Sequence, residues 1–299
     1  MSSSPLVSVI MPNFNKGHYI RYAIESVLSQ TYQKLELIIV DGGSTDESLS
    51  IIQKYASRHN NIVFVTEQHR GPGAAINLGI EQARGELIAF LGADDVYHKD
   101  KLSKQVQVFG DDRTFVCYTD AWIIDGSGAL TGQIYNRDVI HIPKGGREGM
   151  IFRQLLRRSY IIAGSVMTPK DFLKLERFDT HFKIGEDWDL WVRLARHFSF
   201  RFIDEALYGY RIFVGNTTAP TLPNRVRRLE NILAIHKKWL KIFNDLDPAD
   251  REYIVKQIRT LEFRLIMHKL RVDRYLYWYY DRSKRIRALY NSLDEKWTR

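Results

Sequence analysis

The sequence predicts an α/β fold, a mainly parallel sheet flanked by helices, with a helical extension at its C-terminal end. Three observations carry that expectation. Short apolar runs rich in β-branched residues recur through the first hundred positions, segments of helical period lie between them, and the chain becomes basic and helical beyond about residue 215. Strands alternating with helices imply right-handed crossovers and a helix-covered sheet.

The runs "LVSVIM" (6–11), "LELIIV" (35–40), "IVFV" (62–65) and "ELIAFL" (86–91) are near-continuously apolar, as strands buried on both faces are. Over 18–30, Ile20, Ala23, Ile24, Val27 and Leu28 recur at three and four residues and give a helix one apolar face. Ser44 to Glu47 has the spacing of a capping box, with Ile51, Ile52 and Tyr55 following, and 73–84 reads as a third helix. Further on, "TFVCYTDAWIID" suggests a strand and "DGSG" (125–128) a turn. "IIAGSVMTPKDFLKL" reads as a short strand and a helix started by Pro169. "GEDWDLWVRLARHF" (185–198) reads as a helix with Leu190, Trp191 and Leu194 inward and Arg193 and Arg196 outward.

Composition narrows the class. The 299 residues are 44% hydrophobic and 26% charged, ordinary for a globular protein. Cys117 is the single cysteine, so no internal disulfide forms, and its apolar surroundings favour a buried, inert thiol in a reducing compartment. The opening residues lack a basic leader, and no stretch approaches the roughly 20 apolar residues of a membrane span, so a cytosolic location is expected. The net charge of +9 has an address: residues 1–215 hold 25 basic and 25 acidic residues, whereas 216–299 hold 19 and 10. Two parts are expected, a neutral body over 1–215 and a basic helical extension over 216–299.

In open α/β sheets ligands bind beyond the carboxyl ends of the strands. The loops there are "PNFN" (12–15), "DGGSTD" (41–46), "EQHRGPG" (67–73) and "GADD" (92–95), which gather Asp41, Asp94 and Asp95 with several glycines. Adjacent carboxylates suit Mg²⁺ or Mn²⁺ held jointly with substrate phosphates. A helix cap near Tyr97 is an equally open reading of Asp94 and Asp95, and Asp41 beside two glycines equally suits a turn. In "GEDWDLW", a carboxylate at a helix start either deprotonates a hydroxyl or complements the helix dipole. The nine histidines form no zinc-type spacing, and "RGPGAAINLG" lacks both the P-loop ending and the dinucleotide glycine pattern.

Taken in order, "VSVIMPNFNKGHYIRYAIESVLSQTY…LELIIVDGGSTDES", "GPGAAINLGIEQARGELIAFLGADDVY" and "FKIGEDWDLWVRL" resemble the family 2 glycosyltransferases through most of residues 5–213. The resemblance implies the GT-A fold with its Rossmann-like nucleotide-binding half. It also implies inverting transfer of a sugar from a nucleotide-sugar to an acceptor hydroxyl. It places Pro12, Phe14 and Asn15 at the base pocket, Asp41 on base or ribose, and Arg70 on nucleotide or phosphate. Asp94 and Asp95 fall at the D-x-D site, Asp95 first as the ligand of a divalent cation, and Asp187 is the base with Glu186 as partner or substitute. Gly92 stands where the family often has a further acid, Lys99 where a proline is common, and Phe213 where many relatives carry a distal histidine.

The extension mixes Arg and Lys with aromatics, notably "YLYWYYDRSKRIRALY". From 254, Ile254, Ile258, Leu261, Leu265, His268, Val272, Tyr275 and Tyr279 form a seam spaced four and three. Docking on an anionic bilayer, near a lipid-linked or glycan acceptor, stands beside packing on the body or on a second subunit of a homodimer. Nucleotidyl transfer on a related sheet is the alternative chemistry. A nucleic-acid-binding role for the tail is the non-enzymatic one, and the neutral, acid-lined body argues against it.

Overall fold

A computed structural model describes residues 4–142, 147–213 and 222–269. The chain divides into two compact units, 1–219 and 220–299. In the first, β1 (Val7–Asn13) lies between two parallel neighbours, β2 (Leu35–Asp41) in register from Val7↔Leu35 to Asn13↔Asp41 and β4 (Leu87–Phe90) from Val7↔Leu87 to Ile10↔Phe90. β3 (Ile62–Thr66) continues the parallel set beside β2. The crossovers are α1 (Gly17–Leu28), α2 (Ser48–Ala56) and α3 (Pro72–Gln82). Every residue of β2 and β4 is buried, the state that an unbroken apolar run anticipates. Pro12 is tolerated in this central strand because its missing N–H faces the β4 side, where pairing has stopped at Ile10.

The second half of the sheet is mixed. β8 (Val166–Pro169) runs antiparallel to β4, and β6 (Phe115–Ile124) antiparallel to β8. β9 (Ser199–Arg211) runs parallel to β6, β5 (Val96–Tyr97) closes on β9, and β7 (Leu130–Ile134) adds to β6. The order is β3-β2-β1-β4-β8-β6-β9-β5. Flanking helices are α4 (Lys101–Phe109), α5 (Phe152–Arg157), α6 (Phe172–Leu175) and α7 (Glu186–Leu194).

Four local expectations are corrected. Ser44 and Glu47 form no capping box: α2 starts at Ser48, and Ser44 Oγ is drawn instead to Asp41 (2.6 Å). Asp94 and Asp95 cap no helix, because residues 96–97 are strand and α4 begins only at Lys101. Pro169 ends β8 rather than opening a helix. Arg193 points inward, where Asp189 (2.9 Å), Glu176 and the Arg177 carbonyl neutralise and bind it. A guanidinium is buried only with such partners.

In the second unit, α8 (Leu222–Ile242) and α9 (Pro248–Lys269) pack together, joined across their surface by Lys237–Glu262 (2.6 Å). Ile254, Leu261 and Leu265 of the predicted seam are buried and Ile258 half-buried. The His268 side chain, Val272, Tyr275, Tyr279 and the aromatic-basic stretch lie outside the described residues. No helix among the described residues is long and apolar enough to cross a membrane.

Candidate active site

Parallel pairing sends β1, β2, β3 and β4 to end on one edge, and β6 and β9 run the same way. The antiparallel β8 starts there, preceded by the tight turn Ala163–Ser165. The strand-end loops and the start of α7 therefore share one rim.

At the β1–β2 mouth, Asp41 is fully buried and accepts four hydrogen bonds. Oδ1 takes the backbone N–H groups of Gly43 (2.9 Å) and Ser44 (2.8 Å), and Oδ2 takes Asn13 Nδ2 and Ser44 Oγ, both at 2.6 Å. A carboxylate has about four such acceptor positions, and here all are engaged within the loop. Asn15 belongs to the same knot: it holds a left-handed φ of 51°, its N–H reaches Ser44 Oγ (2.8 Å), and its Oδ1 takes the Thr45 N–H (2.8 Å). Phe14 is exposed at this mouth. Its ring stacks on His69 with centroids 3.9 Å apart, above Gly42, where a Cβ would come within 3.1 Å of His69 Nδ1. Arg70, next in line, is exposed and pairs with Glu67 (3.1 Å), while its carbonyl accepts the Lys183 ammonium.

At the end of β4, Asp95 is buried, and its Oδ1 takes the Arg211 N–H (2.7 Å) and its Oδ2 the Tyr208 hydroxyl. Burial, then the neighbouring Asp94 charge, pushes its carboxyl well above the usual range. Arg211 also clasps the loop through Nε to the Asp94 carbonyl (2.6 Å) and Nη1 to the Asp125 carbonyl (3.0 Å). Asp94 faces the rim instead, its Oδ2 holding the Lys16 ammonium at 2.6 Å. A Cβ at Gly92 would lie 2.6 Å from Asp95 Oδ2, so a larger residue there would need that carboxylate to shift. Tyr208 is seated over Gly164, where a Cβ would overlap its ring.

α7 starts after Gly185 in a left-handed turn (φ 80°) and presents Glu186 and Asp187 in its first turn. Asp187 Oδ1 accepts the Trp188 N–H (2.7 Å), and Glu186 lies beside Gly73 in the first turn of α3, the helix that follows β3. Burial and then the Asp187 charge raise Glu186 to about 8, and burial raises Asp187. Both carboxyls are half-buried and hold their protons more tightly than free ones would.

The structure thus brings Phe14, Asn15, Arg70, Asp94, Glu186 and Asp187 to the rim, while Pro12 is half-buried and Asp41 and Asp95 are buried behind it. Sequence reasoning missed Lys16, His69, Tyr208 and Arg211. Lys16 directly follows "PNFN" and Arg211 ends "YGYR", but neither spacing signals a partner 78 or 116 residues away.

Comparison with known proteins agrees with the motif order. The family described as Glycosyl transferase family 2 matches residues 8–174, more than half of the chain. The chain belongs to that family. An uncharacterized glycosyltransferase of Rickettsia prowazekii is 30% identical over 236 residues, 77% of this chain and 70% of the relative. Chondroitin synthase of Escherichia coli is 29% identical over 216 residues, 72% of this chain but 30% of that protein. Among solved structures, S. aureus TarS with UDP superposes with a TM-score of 0.60 at 20% identity, covering 85% of this chain and 70% of that one. The mannosyltransferase PcManGT of Pyrobaculum calidifontis, with GDP-Man and Mn²⁺, gives 0.62 at 18% identity, covering 90% and 74%. At those identities the superpositions speak for the fold alone, which is GT-A. This protein is a glycosyltransferase, and family membership decides for glycosyl over nucleotidyl transfer.

Proposed function

We propose that this glycosyltransferase moves a sugar from a nucleoside-diphosphate sugar to an acceptor hydroxyl with inversion, in the synthesis of a surface polysaccharide or glycolipid. The paired carboxyls at the head of α7 carry the reading, because raised proton affinity is what a base for a sugar hydroxyl needs. Asp187 takes the acceptor proton as the oxygen attacks the anomeric carbon. The bond from that carbon to the diphosphate oxygen breaks, and the nucleoside diphosphate leaves. Glu186 tunes Asp187 by sharing the site's charge. Phe14 offers a stacking face for the base on the loop that Pro12 and Asn15 shape, and exposed Arg70 is within the same loop cluster for phosphate or base. The donors in the TarS and PcManGT structures and the polymer named in chondroitin synthase support this class of donor and product.

A divalent cation on Asp95 and Asp94 is the expectation from the resemblance. The side chains do not fit one as arranged: both Asp95 oxygens are engaged by Tyr208 and Arg211, an ammonium sits on Asp94, and Phe213 donates nothing. No group of three ligating side chains is found among the described residues. No step of the transfer is routed through a metal.

The catalytic part is assigned to 1–215 and the basic extension to 216–299, where Arg225, Arg227, Arg228, Lys237, Lys238 and Lys241 support contact with an anionic membrane surface bearing a lipid-linked acceptor. Equal liposome flotation with and without 224–299 would leave packing or dimerisation as its role. For the reaction, UDP-, GDP- and dTDP-sugars are screened by thermal shift against the full chain. One donor should stabilise it, and Asp187→Asn should keep that shift while losing transfer. Undiminished transfer in Asp187→Asn would remove the assigned base.

A further inference from the structure

We infer that the Lys16 ammonium, seated on Asp94, is the built-in cation that receives the donor's diphosphate, so that donor binding does not depend on a divalent ion. The inference rests on the nucleotide-sugar reading above. Lys16 is held firmly at its backbone: its N–H reaches Ser48 Oγ (3.1 Å), and its carbonyl accepts the N–H groups of Tyr19 and Ile20, both at 2.8 Å, at the head of α1. From there Nζ extends to Asp94 Oδ2 (2.6 Å) and lies 5.0 Å from the centroid of Phe213. An aromatic face favours an ammonium and gives a metal no ligand. Phe213 is braced in turn by Tyr19, centroids 4.8 Å apart.

Charge decides what this corner accepts. A diphosphate approaching the Asp94 carboxylate needs opposing positive charge, and Arg211 is spent behind the acids on carbonyl groups. The Lys16 side chain keeps a quarter of its surface exposed, and Nζ donates one of three N–H groups to Asp94, so two remain for phosphate oxygens. A dication bound to Asp94 as well would share one carboxylate with the ammonium, and the like charges would repel. The ion pair therefore occupies the cation position instead of assisting a metal in it.

The test is equilibrium binding of UDP, GDP and dTDP to the full chain, in EDTA and in Mn²⁺, for wild type, Lys16→Met and Lys16→Arg. The wild type should bind its nucleotide in EDTA within about threefold of its affinity in Mn²⁺. Lys16→Met should lose tenfold or more in EDTA, with Lys16→Arg retaining most of the affinity. A wild type that binds only with Mn²⁺, alongside a Lys16→Met that equals it, overturns the inference and leaves the glycosyltransferase reading intact. No binding of any nucleotide under either condition overturns the nucleotide-sugar reading and this inference together.

Discussion

Lys101 opens α4 fully buried, with Nζ donating to Gln105 Oε1 (2.7 Å) and lying 4.2 Å from the centroid of Tyr97. Burial pulls its proton affinity down from 10.5 to about 7. The unfolded chain therefore binds a proton here across a window in which the folded protein does not. Folding stability must rise with pH between about 7 and 10, at about 1.4 kcal/mol per pH unit from this group. Descending from pH 10 to 7, the lysine costs about 4 kcal/mol. Lys101→Met removes that cost and keeps the volume, but it leaves Gln105 Oε1 without its donor, a loss of about 1–3 kcal/mol. The variant should then be more stable than wild type by about 1–3 kcal/mol at pH 7 and less stable by a similar amount near pH 10. Urea unfolding at several pH values from 7 to 10, followed by tryptophan fluorescence, reads the difference, in which groups common to both proteins cancel. Parallel stability curves across that range would refute the account of Lys101 as a neutral buried amine.

Two further outcomes follow from the site. Asp41→Asn turns an amide toward Asn13 Nδ2 and Ser44 Oγ, leaving one or two buried donors unpaired, and should cost about 2–4 kcal/mol in urea unfolding. Nucleotide affinity of the folded variant should stay within about threefold, and a large affinity loss at unchanged stability would put Asp41 on the ligand after all. For the base, transfer should fall on the acid side of the rate profile, because burial raises the proton affinity of Glu186, to about 8, and raises that of Asp187. Glu186→Gln removes one titration and its charge, so the acid limb of the rate profile should move to lower pH. A profile identical to wild type would detach Glu186 from the base.

The sequence by itself determined the strands of the first half, their helical crossovers and the edge on which the polar loops gather. Those features follow from local periodicity, and a chain with four apolar β-branched runs between amphipathic helices has few other ways to bury them. Its motif order also determined the family and hence the reaction class. Which partners the individual acids hold depends on tertiary structure. Asp41, Asp94 and Asp95 look alike in sequence, each a carboxylate in a short loop at a strand end. Asp41 is saturated by Asn13 and Ser44, Asp95 is locked by Tyr208 and Arg211, and Asp94 alone meets the crevice with Lys16 upon it. A carboxylate's availability depends on how many of its acceptor positions are already filled. Those partners arrive from strands and loops up to 116 residues away, which no local spacing records. Arg193 makes the same point in the helix: periodicity put it outside, and the acids of two elements hold it inside.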